Sequence, residues 1–338
     1  FEVYAARDVR DVAVRGQNTS TSQVSSVVAG RKVSLSALQN ELQVAGPGRL
    51  QVLAGSGVDL GFSGGITTIG RSANPLLPGD GGADLDLWVG IAGEPAYQAF
   101  NAKYWDENFA REFDRYTSGD PDFPSLVEYV ASVTARDDVT PDNVWSAWAG
   151  LESDDQSAFL TQLQPEDRIT FQSFTGLVDT VVDYVALVTG QEPRDPTDSV
   201  VAYLALAADS QRPLVQDYFF RELRDSGREA NLGEDLGFRR GQDAIATLFP
   251  EARQFAGDLS LAFSRIYTLD GGDITLLAPG GLVNVGLARA PEGCVECANK
   301  QPSDLGIVTQ GPGDVRIFAD DDILVNQSRV FTLKGGDG

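Results

Sequence analysis

The chain has 338 residues, a formal net charge of −23, no His and no Met, and a sequence pI of about 4.2. So acidic a surface repels phosphate backbones and anionic headgroups, which sets aside nucleic-acid binding and membrane-surface binding. Without His, Ser-His-Asp and Cys-His nucleophiles, His-ligated zinc and His general bases are excluded, and catalysis would rest on Asp, Glu, Arg, Lys or Tyr.

From Phe1 to Gly93, short alternating runs are split by Gly and Asn: Val9-Arg10-Asp11-Val12-Ala13-Val14, Lys32-Val33-Ser34-Leu35-Ser36, Arg49-Leu50-Gln51-Val52. Period-two alternation of this length predicts strands with one buried face, and the Gly-containing turns fit tight corners. From Glu94 to Phe255 the period changes. Ala96 to Tyr116 places apolar residues three and four apart, and further helical stretches are predicted over 123–136, 141–150, 154–163, 166–189, 197–208, 211–227 and 239–249. Thr140-Pro141 offers a cap with Pro in the first turn, Ser153-Asp154-Asp155-Gln156 fits a capping box, and Gly190 ends one long helix. No apolar run reads as long enough to span a bilayer, and no signal peptide is recognised. From Ala256 strands return, among them Asp258–Leu261, Asp273–Leu276, Leu282–Val285, Gly306–Val308, Val315–Ile317 and Ile323–Val325.

The two β-patterned stretches repeat themselves. Ser264-Arg265-Ile266-Tyr267-Thr268-Leu269-Asp270-Gly271-Gly272-Asp273 returns 64 residues later as Ser328-Arg329-Val330-Phe331-Thr332-Leu333-Lys334-Gly335-Gly336-Asp337. Pro47–Leu60 aligns without gaps to Pro312–Val325. Self-similarity in short strand-patterned units is the signature of a solenoid, each unit one coil stacked on its neighbours. The offset divides into about three coils, and on the order of eight coils at about 4.8 Å each make a rod of roughly 40 Å. The expected fold is therefore mainly β, a parallel β-helix interrupted by an α-helical subdomain. Residues 1–93 and 256–338 form one continuous solenoid and 94–255 the insertion. The last motif stops where its earlier copy runs on into a strand, so the chain reads as a segment of a longer polypeptide.

Several stretches resemble the filamentous-haemagglutinin-like large exoproteins of Gram-negative bacteria, in particular their C-terminal region. They are Asp217–Arg228, Ala244–Pro250, Gly257–Leu261, Ser264–Leu269, Gly271–Ile274 and Leu324–Leu333. The resemblance implies a right-handed β-helix, two-partner secretion through an outer-membrane transporter, a place at the cell surface, and a role in adhesion or biofilm. It offers no catalytic residues to carry over.

Candidate sites are few. Cys294-Val295-Glu296-Cys297, the only cysteine pair, reads as a small loop disulfide in an exported chain, with a thiol pair or half of a metal site as the alternatives. Two acidic clusters, Asp80/Asp84/Asp86 and Asp320/Asp321/Asp322, offer oxygen ligands to calcium, but neither has a calcium-loop spacing, and solvated turn carboxylates are the simpler reading. Arg265 and Arg329 recur at equivalent positions, with Asp273 and Asp337 beyond them. Recurrence favours a structural ladder over an active site, which is usually single. Arg221, Glu222, Arg224, Asp225, Arg228 and Glu229, with Arg239 and Arg240 nearby, alternate in charge as a solvated or docking face does. Asn18-Thr19-Ser20 and Asn326-Gln327-Ser328 are sequon-like, a pattern common by chance.

The expected function is a non-enzymatic, secreted or surface-anchored adhesin segment that stiffens a fibre and presents a contact surface, with end-to-end self-association at open sheet edges. Its partners would be a surface receptor or matrix glycan, and no cofactor beyond calcium is indicated. A self-assembling filament or sheath subunit and a β-helix polysaccharide-degrading enzyme are the competing readings.

Overall fold

The computed structural model describes residues 1–79, 81–91, 95–117, 123–191, 195–231, 238–250, 255–287 and 300–335. Strands come in threes, one for each of three sheets. β1 (Glu2–Ala5), β2 (Val9–Arg10) and β3 (Ala13–Gln17) are the first such layer. The second is β4 (Val24–Ala29), β5 (Lys32–Ser34) and β6 (Glu41–Ala45), and the third is β7 (Arg49–Ala54), β8 (Gly57–Asp59) and β9 (Gly65–Thr68). β10 (Asp84–Val89) is followed by the helical tract before β11 (Leu259–Ser260) and β12 (Arg265–Thr268) complete the fourth. β13 (Ile274–Ala278), β14 (Val283–Asn284) and β15 (Gly306–Thr309) form the fifth, and β16 (Val315–Ala319), β17 (Ile323–Leu324) and β18 (Val330–Thr332) the sixth. The sheet orders are β1-β4-β7-β10-β13-β16, β2-β5-β8-β11-β14-β17 and β3-β6-β9-β12-β15-β18. Every pairing is parallel.

Period-two patterning sets which side chains enter the core. In β4 the burial alternates along Val24–Ala29, and Val27 and Ala29 go inward with Val52 and Ala54 of β7 and Leu87 and Val89 of β10. Aliphatic columns of this kind, continued by Leu276, Val283, Ile266 and Ile307, make one core. The alternating run Val9–Val14 does not make a single strand. Asp11 adopts a left-handed φ of 49° and turns the chain from one sheet to the next, dividing the run into β2 and β3.

The helical tract comprises α1 (Tyr97–Asn101), a π-helical turn over Ala102–Asp106, α2 (Glu107–Thr117), α3 (Leu126–Thr134), α4 (Val144–Ala149), α5 (Ser153–Leu160), α6 (Pro165–Thr189), α7 (Pro196–Leu204), α8 (Ala208–Asn231) and α9 (Arg239–Leu248). Side chains cap α3 and α7: Ser125 accepts from the Glu128 N–H and Asp195 from the Thr197 N–H. Pro165 and Pro196 open α6 and α7, and Gly190, at a φ of 65°, closes α6. Ser153 is the first residue of α5 and not its cap, so the expected capping box there does not form.

Contacts divide the chain into two compact units, one of Phe1–Pro95 with Ser226–Gly338 and one of Ala96–Asp225. The second unit has its own cores. Tyr116, Phe123, Trp145, Trp148, Phe159 and Phe171 anchor one, while Trp105, Val181, Val185 and Tyr203 anchor another. Contrary to the sequence reading, Thr170–Thr189 of α6 is long and apolar enough to cross a membrane by length and composition. Its Phe171, Phe174, Val178, Val181 and Val185 are core residues of this unit, and a core helix passes the same test.

The expectation of a mainly β chain wound as a right-handed parallel β-helix is corrected. Helices hold more of the described residues than strands do, and the strands make three separate six-stranded parallel sheets, each open with an edge strand at either end. The architecture is α/β. The reason is physical: the 96–225 tract buries aromatic and aliphatic side chains among its own helices. It is a folded unit in its own right and not an ornament on a β chain.

Candidate functional site

Residues that alternate with the core positions point to the outer face of the first sheet, and two kinds of column form there. Tyr4, Val28, Leu53, Trp88, Leu277 and Phe318 follow one another across β1, β4, β7, β10, β13 and β16. Trp88 is buried, and Phe249, just beyond α9, meets it edge to face with ring centroids 5.3 Å apart. Ser226, near the end of α8, accepts the Gly241 N–H of α9 at 3.0 Å. Apolar burial and this bond place α9.

Beside the apolar column runs a charged one. Arg49 on β7 donates to Asp86 at 2.6 Å and to Asp84 at 3.1 Å on the neighbouring β10. Asp84 also accepts the Asp273 N–H at 3.0 Å, and Asp273 in turn accepts the Asp314 N–H at 2.9 Å. Arg316 on β16 donates to Asp273 at 3.0 Å and to Asp314 at 2.9 Å. Parallel pairing brings these residues within reach because neighbouring strands lie about 4.8 Å apart. Burial pushes the Asp84 carboxyl up to about 6, against the pull of the Arg49 guanidinium. Its side chain keeps 37% of its exposure, so solvent screens much of that push, and the contact with Arg49 is the firmer feature.

A second constellation lies on the third sheet, where the repeated Ser-Arg motif falls. Arg265 of β12 stands opposite Gly306 of β15, and Gly306 opposite the position of Arg329. Gly65 of β9 precedes Arg265 in the same column and, like Gly306, has a left-handed φ (89° and 99°). A Cβ on either glycine would come within 2.9 Å of the Cγ of the arginine in the next layer and closer still to its carbonyl. Each arginine lies across its glycine and donates through Nε to the carbonyl just before it: Arg265 to Gly64 at 3.1 Å, Arg329 to Leu305 at 3.0 Å. Each guanidinium also covers the aromatic ring two residues on, Arg265 over Tyr267 at 5.5 Å and Arg329 over Phe331 at 5.1 Å. Thr268 and Thr309 donate to the carbonyls of Gly272 and Gly313. In the internal repeat it is the arginine contacts that are made twice, to the preceding layer's carbonyl and over the aromatic ring.

Lys300 completes this region. Its ammonium donates to the carbonyls of Phe62 at 2.9 Å and Phe263 at 2.8 Å, and also to that of Ser63. Burial, reinforced by the Arg265 charge, lowers its pKa to about 8. The Tyr267 hydroxyl donates to Ser303 at 2.6 Å and accepts from Arg329 at 2.7 Å, and burial raises its pKa. Lys, Arg and Tyr together are a chemically capable set, yet the contacts here tie their polar atoms to backbone carbonyls and to one another.

The residues singled out from sequence fare differently. Arg265 and Arg329 do share a column. Asp84 and Asp86 of the first calcium candidate are engaged with Arg49, and Asp80 lies outside the described residues. Asp320, Asp321 and Asp322 are exposed in the turn before β17. Among the described residues no group of three or more His, Cys, Asp or Glu side chains is arranged to hold a metal ion. Cys294, Cys297 and Asp337 lie outside the described residues. In the sequon-like triplets, Asn18 is fully buried and donates to the carbonyls of Gln23 and Arg49, whereas Asn326 is exposed. Sequence patterning does not mark Arg49, Tyr267 or Lys300 as site residues. The one signal for Lys300 is rarity, as one of four lysines.

No protein-family model, curated protein or solved structure matches this chain.

Proposed function

We propose that this chain is a non-catalytic spacer segment of a large, filamentous-haemagglutinin-like surface protein of a Gram-negative bacterium. In this reading it stiffens a surface fibre and lends it a contact face in adhesion or biofilm. The observation that carries this is the direction of its strongest chemistry. Arg49, Arg265, Arg316 and Arg329 each reach from one strand layer to acceptors on a neighbouring one, and Lys300 gathers carbonyls from two layers. Groups spent on holding layers together suit a load-bearing element, and their near-repetition from layer to layer suits length better than a single reacting centre. A net charge of −23 keeps so strand-rich a surface from clumping.

The reading is tested in the organism that makes the chain. Antibody raised to residues 1–338 should label intact cells, and external protease should remove the label. In-frame deletion of the coding segment should reduce attachment to matrix-coated surfaces without affecting growth. Label confined to the interior of the cell, or turnover of an acidic polysaccharide by the purified chain, overturns it.

A further inference from the structure

In a chain of net charge −23, residues 1–48 hold five Arg and Lys and only four Asp and Glu. Four of the five, Arg7, Arg10, Arg31 and Lys32, gather on the corner between the first and second sheets. We propose that this corner binds a carboxylate-bearing polysaccharide, a polymer of uronic acid. The inference deepens the spacer reading: it rests on that reading for its place in adhesion and names the chemistry of the matrix glycan.

Strand register builds the corner. Val9 pairs with Val33 in the second sheet, so the residues before them, Asp8 and Lys32, lie side by side, and the Lys32 N–H donates to Asp8 at 3.3 Å. One residue further back, the Arg31 N–H donates to the Arg7 carbonyl, which stacks one arginine on the other about 4.8 Å apart. Val9 is buried and Arg10 exposed, as strand alternation requires, so the charges point sideways from the stack. A coil preceding β1 would adjoin the corner and not cover it.

The corner already holds one carboxylate. Arg31 donates to Asp8 through Nε at 3.1 Å and through Nη2 at 2.6 Å, the paired geometry in which a guanidinium fork fits a carboxylate, and Arg10 donates to it at 2.9 Å. The Arg31 hydrogen bond lowers the Asp8 pKa to about 2, so this acid stays charged. Arg10 and Arg31 keep 66% and 48% side-chain exposure, so Asp8 orders both guanidiniums without covering them.

Cations nonetheless outnumber acids here. Arg7 and Lys32 are exposed, and among the described residues no carboxylate pairs with either. Elsewhere Arg49 and Arg316 each meet two carboxylates. Like charges in facing positions repel, and one acid among four cations leaves that repulsion largely unrelieved. A surplus of exposed cations on an anionic protein is a surface suited to an incoming anion. Asp59, two layers from Arg10 in its column, and Asp258, beyond Gly57, bound the patch with negative charge. A polymer with an acid on every sugar engages Arg7, Arg31 and Lys32 together, which a single anion does not.

The test is binding of the full chain to immobilised polygalacturonate at physiological ionic strength, with neutral dextran and dextran sulfate as comparison surfaces. Wild type should bind polygalacturonate and not dextran, and salt at about 1 M, which screens charges beyond about 3 Å, should abolish the binding. Arg7→Glu and Lys32→Glu should each weaken it about threefold or more, and together about tenfold or more. Arg136→Glu, an equal charge change at an exposed residue of the helical tract, should leave it unchanged. Circular dichroism checks that all variants fold alike. Binding to dextran as strong as to polygalacturonate, binding to dextran sulfate alone, a double variant that binds like wild type, or an equal loss in Arg136→Glu would each overturn the proposal. A chain that labels intact cells but binds no polyuronate overturns this proposal alone and leaves the spacer reading in place.

Discussion

Arg329, the residue just before β18, lies across from Gly306 of β15, and its stem lies where a side chain at 306 would be. Gly65 and Arg265 stand in the same relation across β9 and β12. Since both glycines also have left-handed φ, Gly65→Ala and Gly306→Ala combine backbone strain with a clash. Each should cost about 2 kcal/mol or more in urea-unfolding stability. Gly176 is the counter-case: it lies in α6, and a methyl group added there would meet nothing within 4 Å. Gly176→Ala should stabilise the helical unit by about 0.5 to 1 kcal/mol. The same effect at all three sites would refute the packing argument.

Arg49 is nearly buried and its closer partner, Asp86, has 1% side-chain exposure. Arg49→Met takes a cation away from a buried carboxylate and should destabilise by about 3 to 5 kcal/mol. Asp84→Asn, at a more exposed position in the same cluster, should cost less than about 1 kcal/mol. Chemical denaturation of the two variants side by side reads the difference, and equal losses would mean that Arg49 does not discriminate between its two carboxylates.

The lowered pKa of Lys300 has a signed consequence. Its ordinary value is 10.5 and burial brings it to about 8 in the folded chain. Between those values the unfolded chain carries the extra proton, so this group's contribution to stability rises with pH across that window. Relative to Lys300→Met, wild type should gain stability between about pH 8 and pH 10. A difference that is flat or shrinks with rising pH would show that Lys300 titrates normally.

Phe249 joins the α9 segment to the outer face of the first sheet through Trp88. Phe249→Ala should cost about 3 to 5 kcal/mol. Trp88 is one of four tryptophans, so a Trp88→Phe background identifies its share of the fluorescence. The red shift caused by Phe249→Ala should vanish in that background, and persistence of the full shift would place the exposed indole elsewhere.

Much of this is legible in the residues themselves. Alternation along Val24–Ala29 and Arg49–Ala54 marks strands, and the three- and four-residue spacing from Tyr97 to Tyr116 marks helix, because both periods are local properties of the backbone. The repeat of Ser264–Leu269 at Ser328–Leu333 announces that two strands share one environment. Where local geometry is not enough, the reading fails. Asp84 and Asp86 look like metal ligands because Arg49, some 35 residues away, is invisible to spacing. The mainly β assignment gives too little weight to helices that assemble cores of their own.

Sequence by itself determined where the chain alternates, where it coils into helix and which segments echo one another, since each depends on a few neighbouring residues. Only the tertiary structure decided that Gly65 makes room for Arg265 from the far side of the helical tract, that Arg49 neutralises Asp86, and that Lys300 gathers carbonyls from two layers. Those contacts depend on strand register, which is settled by the burial of whole aliphatic columns at once and not by any short stretch of residues.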